Sequence, residues 1–266
     1  MNPLSNLPGE MEELLNGFLS QPIKGNLVVG FTNYIFWMIV AMTCLFALFF
    51  VFKKKQAQSL VPQGVFVNTM ESAIDFVKDD ICKNVLGDSW KQHFPFLAAL
   101  FFFILINNIV GLVPGAHPGT GTIGVTGALA VWSFVYFVLV GCKKMGVFGY
   151  VKSLAPKGVA FPINVLVWLI EVFSTFLRLI TLSVRLFCNM FAGHIVMGMF
   201  AILAALFVEP MLHNFSMMAL GQASASIFWV LMLIAIYLVE IMVAVIQAYV
   251  FTLLSSVYIQ LVEQAH

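Results

Sequence analysis

Charged side chains are scarce in this chain of 266 residues, where they make up 9% of the sequence against 61% hydrophobic residues. A water-soluble domain carries about 25% charged residues, so this composition excludes an ordinary soluble fold. The formal net charge of +1 gives no indication of a nucleic-acid partner. Runs of about 20 apolar residues recur instead, and each is long enough to cross a bilayer. The sequence therefore predicts an all-α, multi-spanning membrane protein.

The chain is also poor in patterns that hold metals or nucleotides. Its four cysteines are far apart and form no CxxC pair, and no stretch matches the GxxxxGK[ST] phosphate loop. Cysteines that are far apart in the sequence usually serve as small, buried hydrophobic residues. We therefore expect neither a metal site nor a bound cofactor. The cysteines are Cys44, Cys82, Cys142 and Cys188.

Five apolar segments predict five membrane crossings within a single membrane domain, residues 1–266. An outer N-terminal segment, residues 1–30, precedes them. With that orientation ten lysines fall on the cytoplasmic side and only Lys24 lies outside, which satisfies the positive-inside rule. The predicted ranges are 31–52 for the first crossing, 94–142 for the second and third, and 163–208 and 224–262 for the last two.

Residues 61–93 have a different pattern from the five crossings. Apolar residues recur there in steps of three and four, and charged residues fill most of the gaps. This periodicity is typical of one or two amphipathic helices that lie on the cytoplasmic face of the membrane. The apolar positions are Val67, Met70, Ile74, Val77, Ile81 and Val85.

The last two apolar segments are too long for upright helices. A helix of about 40 residues extends about 60 Å, whereas the hydrocarbon core of a bilayer is about 30 Å thick. Each segment must therefore break or incline strongly. We predict a long, strongly tilted hairpin, suited to following a curved partner inside the membrane.

Polar residues form a stripe along one face of the fourth segment. Glu171, Arg178 and Arg185 are seven residues apart, and Asn189 follows Arg185 by one turn. An ionised side chain in the bilayer interior costs at least about 2.5–3.5 kcal/mol, so each needs a partner or a water-filled cavity. We expect positions 182, 186 and 189 to share the face of Arg185.

The fifth segment repeats this spacing with Glu240 and Gln247. If Gln247 lies level with Arg185 in an antiparallel hairpin, His194 and Glu240 lie about 13 Å and about 10 Å toward the outside. These two titratable side chains then meet at similar depth, whereas Glu171 lies about 20 Å toward the cytoplasm. The polar groups thus form an outer set and an inner set, with Arg185 between them.

Each of these residues also has a purely structural interpretation. Arg178 can extend its guanidinium to the cytoplasmic interface, and His194 by itself is compatible with an ordinary packed histidine. Asn189 and Gln247 can act as interhelical hydrogen-bond partners, worth about 0.6 kcal/mol each. Arg185 stays charged in any protein environment, and no carboxylate is predicted at its own depth in this chain. A carboxylate from another chain is the simplest partner.

The stretch Leu182–His194, LSVRLFCNMFAGH, closely resembles the signature of subunit a of F-type ATP synthases. The run Asn107–Pro114 is similar to the second-span motif of that family, and the resemblance covers most of the chain from residue 61 onward. Three positions depart from the family pattern. Leu179 stands where proline is common, Cys188 stands where glycine or alanine is common, and the turn at residues 121–124 has none of the acidic and amide residues often found there.

The resemblance implies a role for each polar set. Protons would enter by an outer half-channel at His194 and Glu240, protonate a carboxylate of a rotating c-ring, and leave by an inner half-channel near Glu171. Arg185 would attract the ionised ring carboxylate and block direct passage between the half-channels. The residues in supporting roles would be Asn189, Gln247 and Arg178.

The resemblance also implies partners and a location. The partners would be the c-ring, the b-type subunits of the peripheral stalk, the other ATP synthase subunits and membrane lipids. This chain would be no enzyme on its own, since other subunits would handle ATP. The membrane would be that of a bacterial cell, with the mitochondrial inner membrane as the alternative, and the carried ion is left open between H⁺ and Na⁺.

Two other functions are compatible with polar residues in a membrane bundle. A self-contained proton-coupled secondary transporter or ion channel predicts inverted repeats with broken helices, but the first three and last two crossings differ in length and polarity. A passive anchor of a respiratory complex predicts paired histidines for haem. No second intramembrane histidine is predicted to face His194.

Overall fold

The computed structural model describes residues 7–17, 22–24, 31–57, 64–113, 115–153, 163–213 and 217–264. Within these ranges the chain is almost wholly helical. One short antiparallel pair of strands, β1 (Pro22–Lys24) and β2 (Phe31–Thr32), precedes the first long helix. Five of the described helical segments are long and apolar enough to cross a membrane. The predicted all-α, multi-spanning architecture is therefore confirmed.

The described residues form nine α-helices joined by short irregular turns. A π-helix, Phe76–Lys83, connects the third helix to the fourth, and two 3₁₀ turns lie at Gly87–Ser89 and Gly119–Gly121. The α-helices are α1 (Leu7–Gly17), α2 (Asn33–Gln56), α3 (Val65–Asp75), α4 (Asn84–Leu86), α5 (Trp90–Gly111), α6 (Ile123–Met145), α7 (Val147–Ser153), α8 (Ile163–His213) and α9 (Met217–Gln264).

The amphipathic region predicted at residues 61–93 packs on the protein itself. Val77, Ile81 and Cys82 of the π-helix are completely buried, and the π-helix lies against α5. The apolar periodicity is thus used for packing within the helical bundle. The π-helix is not anticipated, because steps of three and four residues describe α-helical turns rather than the wider i to i+5 turn.

The helices α8 and α9 form the predicted long hairpin. They contain 51 and 48 residues without a break, so they extend about 77 Å and about 72 Å. Both helices are longer than predicted: α8 continues past residue 208 to His213, and α9 begins before residue 224, at Met217. Three residues connect them. Since neither helix is broken and a hydrocarbon core is about 30 Å thick, we still expect the hairpin to be strongly tilted, and this tilt stays a prediction.

The two halves of α9 have different surroundings. Its C-terminal half packs on α5, α6 and α8, and small side chains such as Ala244, Ala248 and Ser255 are buried there. Small residues let helix backbones approach closely in a membrane. From residue 227 to residue 243, by contrast, every residue is exposed or half-buried in the structure. The core of the protein therefore surrounds one end of α9 and leaves the other end on its surface.

Candidate functional site

The carboxyl group of Glu240 on α9 lies against the backbone of α8 at Gly193. A Cβ atom added to Gly193 would come within 2.5 Å of the carboxyl carbon and 2.6 Å of one carboxylate oxygen, closer than real Cβ atoms approach. Only glycine therefore leaves room for the side chain in this position. Because Gly193 directly precedes His194, the structure brings the acid and the imidazole to the same level of the hairpin.

A third titratable side chain, His117, approaches this level from the loop between α5 and α6. Its ring packs edge-on against Tyr34 of α2, with 5.5 Å between ring centroids, and it lies close enough to His194 for a charge on one imidazole to disfavour a charge on the other. Burial lowers the pKa of His117, so the neutral imidazole is favoured there. Sequence reasoning missed this residue, because it considered only the glycine-rich turn at 121–124. The signal available was a histidine and a proline immediately before that turn.

A chain of hydrogen bonds holds the same loop to α5 and α9. The Thr120 hydroxyl donates to Asn108 Oδ1 at 2.9 Å, and Asn108 Nδ2 donates to the carbonyl of Ala244 at 3.4 Å. Both polar side chains are completely buried. Ala244 lies one turn from Glu240 on α9, so these bonds fix the loop and two helices around the acid. Asn108 belongs to the polar run of the second crossing that the sequence singled out.

The inner pair is formed within one helix. Arg178 Nη2 lies 3.1 Å from Glu171 Oε1, and the two side chains are 29% and 39% exposed. The Arg178 guanidinium also lies over the ring of Tyr258 on α9, 5.3 Å from its centroid. An arginine that only reaches for the membrane interface does not account for these two contacts. Arg178 is both the ionic partner of Glu171 and a link between α8 and α9.

Arg185 is exposed on α8 and takes part in none of the ion pairs found among the described residues. The expectation that positions 182 and 186 share its face is wrong, since Leu182 and Leu186 are buried in the core. Successive residues turn by about 100°, which puts these leucines on one flank of Arg185. The other flank is exposed, and its residues are Thr181, Val184 and Cys188.

The two amide residues assigned supporting roles differ in exposure. Asn189 is half-buried, whereas Gln247 is buried beside the completely buried Ala248. Burial of this kind suits an interhelical hydrogen-bonding residue, and a direct role of either amide in transport stays a prediction. Among the described residues, no group of histidine, cysteine, aspartate and glutamate side chains is arranged to hold a metal ion.

Comparison with known proteins gives a consistent result over most of the chain. The family model described as ATP synthase A chain matches residues 35–260. The protein "ATP synthase subunit a 2" of Prosthecochloris aestuarii is 34% identical over 245 residues, which cover 91% of this chain and 72% of that relative. A protein of the same name from Chlorobium luteolum is 36% identical over 85% of this chain and 62% of its own length. The "ATP synthase subunit a" of Myxococcus xanthus is 36% identical over 89% of this chain and 74% of its own length.

Proposed function

Because the family match and these relatives show that the chain belongs to the ATP synthase A chain family, we propose that it carries protons between the membrane surfaces along a rotating c-ring. The chain is an integral membrane protein of that family and one component of a larger complex. The observation that carries the proposal is the contact of the Glu240 carboxyl group with Gly193. Gly193 directly precedes His194, which lies nine residues beyond the exposed Arg185 on α8.

The outer half-channel in this proposal uses the side chains that meet near Gly193. Glu240 and His194 can each accept and release a proton, and His117 adds a third such group in the outer loop. The chain of hydrogen bonds through Asn108 supports the proposal, since it holds this part of α9 in place. A proton would pass from the outer surface through these groups to a carboxylate of the ring.

Arg185 acts in this proposal as the barrier between the two half-channels. Its guanidinium stays protonated in proteins, so it repels a proton and attracts an ionised carboxylate. Its exposure on α8, and the absence of an ion pair with any described residue, support a partner from another chain. An uncompensated charge against lipid would cost at least about 2.5–3.5 kcal/mol.

The inner half-channel in this proposal begins near Glu171. This residue lies 14 positions before Arg185 on a continuous helix, which is about 21 Å toward the cytoplasm. Its side chain is 39% exposed, so the carboxylate is not enclosed by this chain even while Arg178 binds it. A proton released by the ring would leave the membrane there.

The proposed partners are the c-ring, the b-type subunits of the peripheral stalk and the other ATP synthase subunits, with ATP handled outside this chain. The proposed location is the bacterial cell membrane, since the relatives named above are bacterial proteins. The b-type subunits and the exact membrane are proposed from family membership alone.

Purification of the tagged chain from its native membrane tests the proposal. We expect a ring of small hairpin proteins, each with a mid-membrane carboxylate, to accompany the chain. The same preparation in vesicles should pump protons when ATP is supplied. A purified chain that conducts protons by itself, without a ring, would instead support a self-contained channel.

A further inference from the structure

A hydrogen-bonded cluster lies at the C-terminal end of α9. Ser89 Oγ donates to Glu263 Oε2 at 2.6 Å, and His93 Nε2 lies 3.2 Å from Glu263 Oε1. The hydroxyl of Tyr136 lies 3.0 Å from His93 Nδ1, and Lys144 Nζ donates to the backbone carbonyl of Glu263 at 2.6 Å. The cluster therefore joins α9 to α6, to α5 and to the 3₁₀ turn before α5.

This cluster is separate from the inner pair of Glu171 and Arg178. Arg178 contacts α9 at Tyr258, five residues before Glu263. Since each residue turns by about 100°, the side chains of Tyr258 and Glu263 leave α9 about 140° apart. The inner pair thus meets one side of α9, and the cluster with Ser89 and His93 meets another.

The imidazole of His93 has a hydrogen-bonding partner at each of its two ring nitrogens. The ring is 1% exposed, so it relies on the protein for hydrogen bonds. In the tautomer with the proton on Nε2, the ring donates to Glu263 Oε1, and Nδ1 accepts from the hydroxyl of Tyr136. The ring of Tyr136 stacks on Phe96 with 3.8 Å between centroids, which fixes the direction of its hydroxyl. The cluster is therefore directional as well as buried.

We propose that Glu263 and His93 are positioning residues that fix the rotation and depth of α9, and thereby keep Glu240 against Gly193, the neighbour of His194. The proposal rests on the outer role assigned above to Glu240. Glu240 is 23 residues from Glu263 on the same unbroken helix, about 35 Å away. A slip of one residue would turn α9 by about 100° and carry the acid away from Gly193.

The packing of α9 explains why residues that position this helix are needed. Residues 227–243 are exposed or half-buried, so this half of the helix has few side chains that lock it in place. In the buried half, Ala244 accepts a hydrogen bond from Asn108 and Ser255 Oγ lies 2.8 Å from Ser133 Oγ, so the cluster at Glu263 acts together with these polar contacts. Buried polar groups with directional partners specify the register of packed helices, at some cost in stability. The hydrogen-bonded cluster at Glu263 is a set of such polar groups, and it lies in the half of α9 that packs on the rest of the protein.

The test compares Glu263→Ala with Glu263→Gln in the complete ATP synthase. Spin labels replace Leu139 of α6 and Leu238 of α9, which are 53% and 65% exposed, in a chain otherwise free of cysteine. Pulsed electron paramagnetic resonance then measures the distance between the labels. We expect Glu263→Ala to widen and shift the distance distribution, and to lower ATP-driven proton pumping per assembled complex at least fivefold. Glu263→Gln keeps hydrogen-bonding atoms for Ser89 and His93, so it should retain the distribution and at least half of the rate.

Two further variants keep the test decisive. Gln264→Ala changes the exposed neighbour of Glu263 and should match the unmodified protein in both measurements. If Glu263→Ala does not assemble, Ser89→Ala removes the 2.6 Å bond to Glu263 together with a local 3.0 Å bond to the carbonyl of Leu86, and it should give a smaller widening. An unchanged distribution in the alanine variants that assemble overturns the proposal. A third outcome is a widened distance distribution in the variants together with no pumping by any complex, including the unmodified one. That outcome supports the positioning of α9 and refutes the proposed function.

Discussion

The inner and outer polar sets of the hairpin are built in different ways. Glu171 and Arg178 pair at 3.1 Å within α8, because a spacing of seven residues puts them on one face of a single helix. The outer set needs tertiary structure: Glu240 comes from α9, His194 from α8 and His117 from a loop. The inner pair should therefore respond to changes in its own residues and in Tyr258, which Arg178 contacts, whereas the outer set should also respond to changes in the packing of α8 against α9.

The largest effect is expected at Arg185, which lies between the two sets. Arg185→Ala and Arg185→Lys should abolish coupled ATP synthesis while leaving the chain in the membrane. Lysine keeps the charge but loses the planar fork that can pass between successive carboxylates. ATP-driven proton pumping in vesicles measures this, with Cys188→Ser on the neighbouring exposed surface as the control. Normal pumping by Arg185→Lys would remove the basis for the barrier role.

The next largest effect should come from packing at the outer set. Gly193→Ala adds a Cβ atom where the Glu240 carboxyl group now lies, at 2.5 Å from its carbon, so the acid must move away. We expect the pumping rate to fall about tenfold, a loss of about 1.4 kcal/mol in the activation free energy. Gly127→Ala is the matched control, because its Cβ would make an ordinary 3.7 Å contact with Ser183. Equal rates in the two variants would mean that Glu240 need not stay against α8.

Exchange of the outer residues tests whether they act together. His194→Glu combined with Glu240→His should retain more pumping than either single change, because only the double variant keeps one carboxylic acid and one imidazole at this level. A double-mutant cycle on the pumping rate measures the coupling, which appears as non-additivity. Strictly additive losses would show that the two residues serve separate steps.

The smallest effect is expected at the inner pair. Arg178→Gln removes an ion pair whose side chains are 29% and 39% exposed, and pairs of this kind are worth about 0–1 kcal/mol. The melting temperature of the complex should fall by a few degrees at most, and pumping should fall less than threefold. Phe173→Ala, at an exposed position of the same part of α8, provides the control. A loss as large as that of Gly193→Ala would erase the difference between the two sets.

The sequence predicts what depends on composition and local spacing. The first crossing was expected at 31–52 and the helix spans Asn33–Gln56, because an apolar run has few alternatives in lipid. The seven-residue spacing likewise puts Glu171 and Arg178 on one face of α8 without any knowledge of the bundle, although their pairing was not predicted. Local pattern is sufficient in both cases.

Features that join distant residues could not be read in this way. His93 and Glu263 are 170 positions apart, and neither stands in a recognisable motif. The assignment of Leu182 and Leu186 to the face of Arg185 failed because helical spacing gives angles around α8 but not the side on which the bundle lies. The contact of Glu240 with Gly193 depends on the register between α8 and α9, which spacing within each helix leaves free.

The most direct test of the whole account is a crosslink from Cys188, a native cysteine exposed three residues beyond Arg185. In the assembled complex, a cysteine placed beside the mid-membrane carboxylate of the ring protein should form a disulfide with Cys188 in high yield. A cysteine at Leu186, which is completely buried, should form none. The account predicts this contrast, because the exposed flank of Arg185 faces the ring. Reaction of Cys188 with a lipid-soluble maleimide in the intact complex, without any crosslink to the ring, would contradict it.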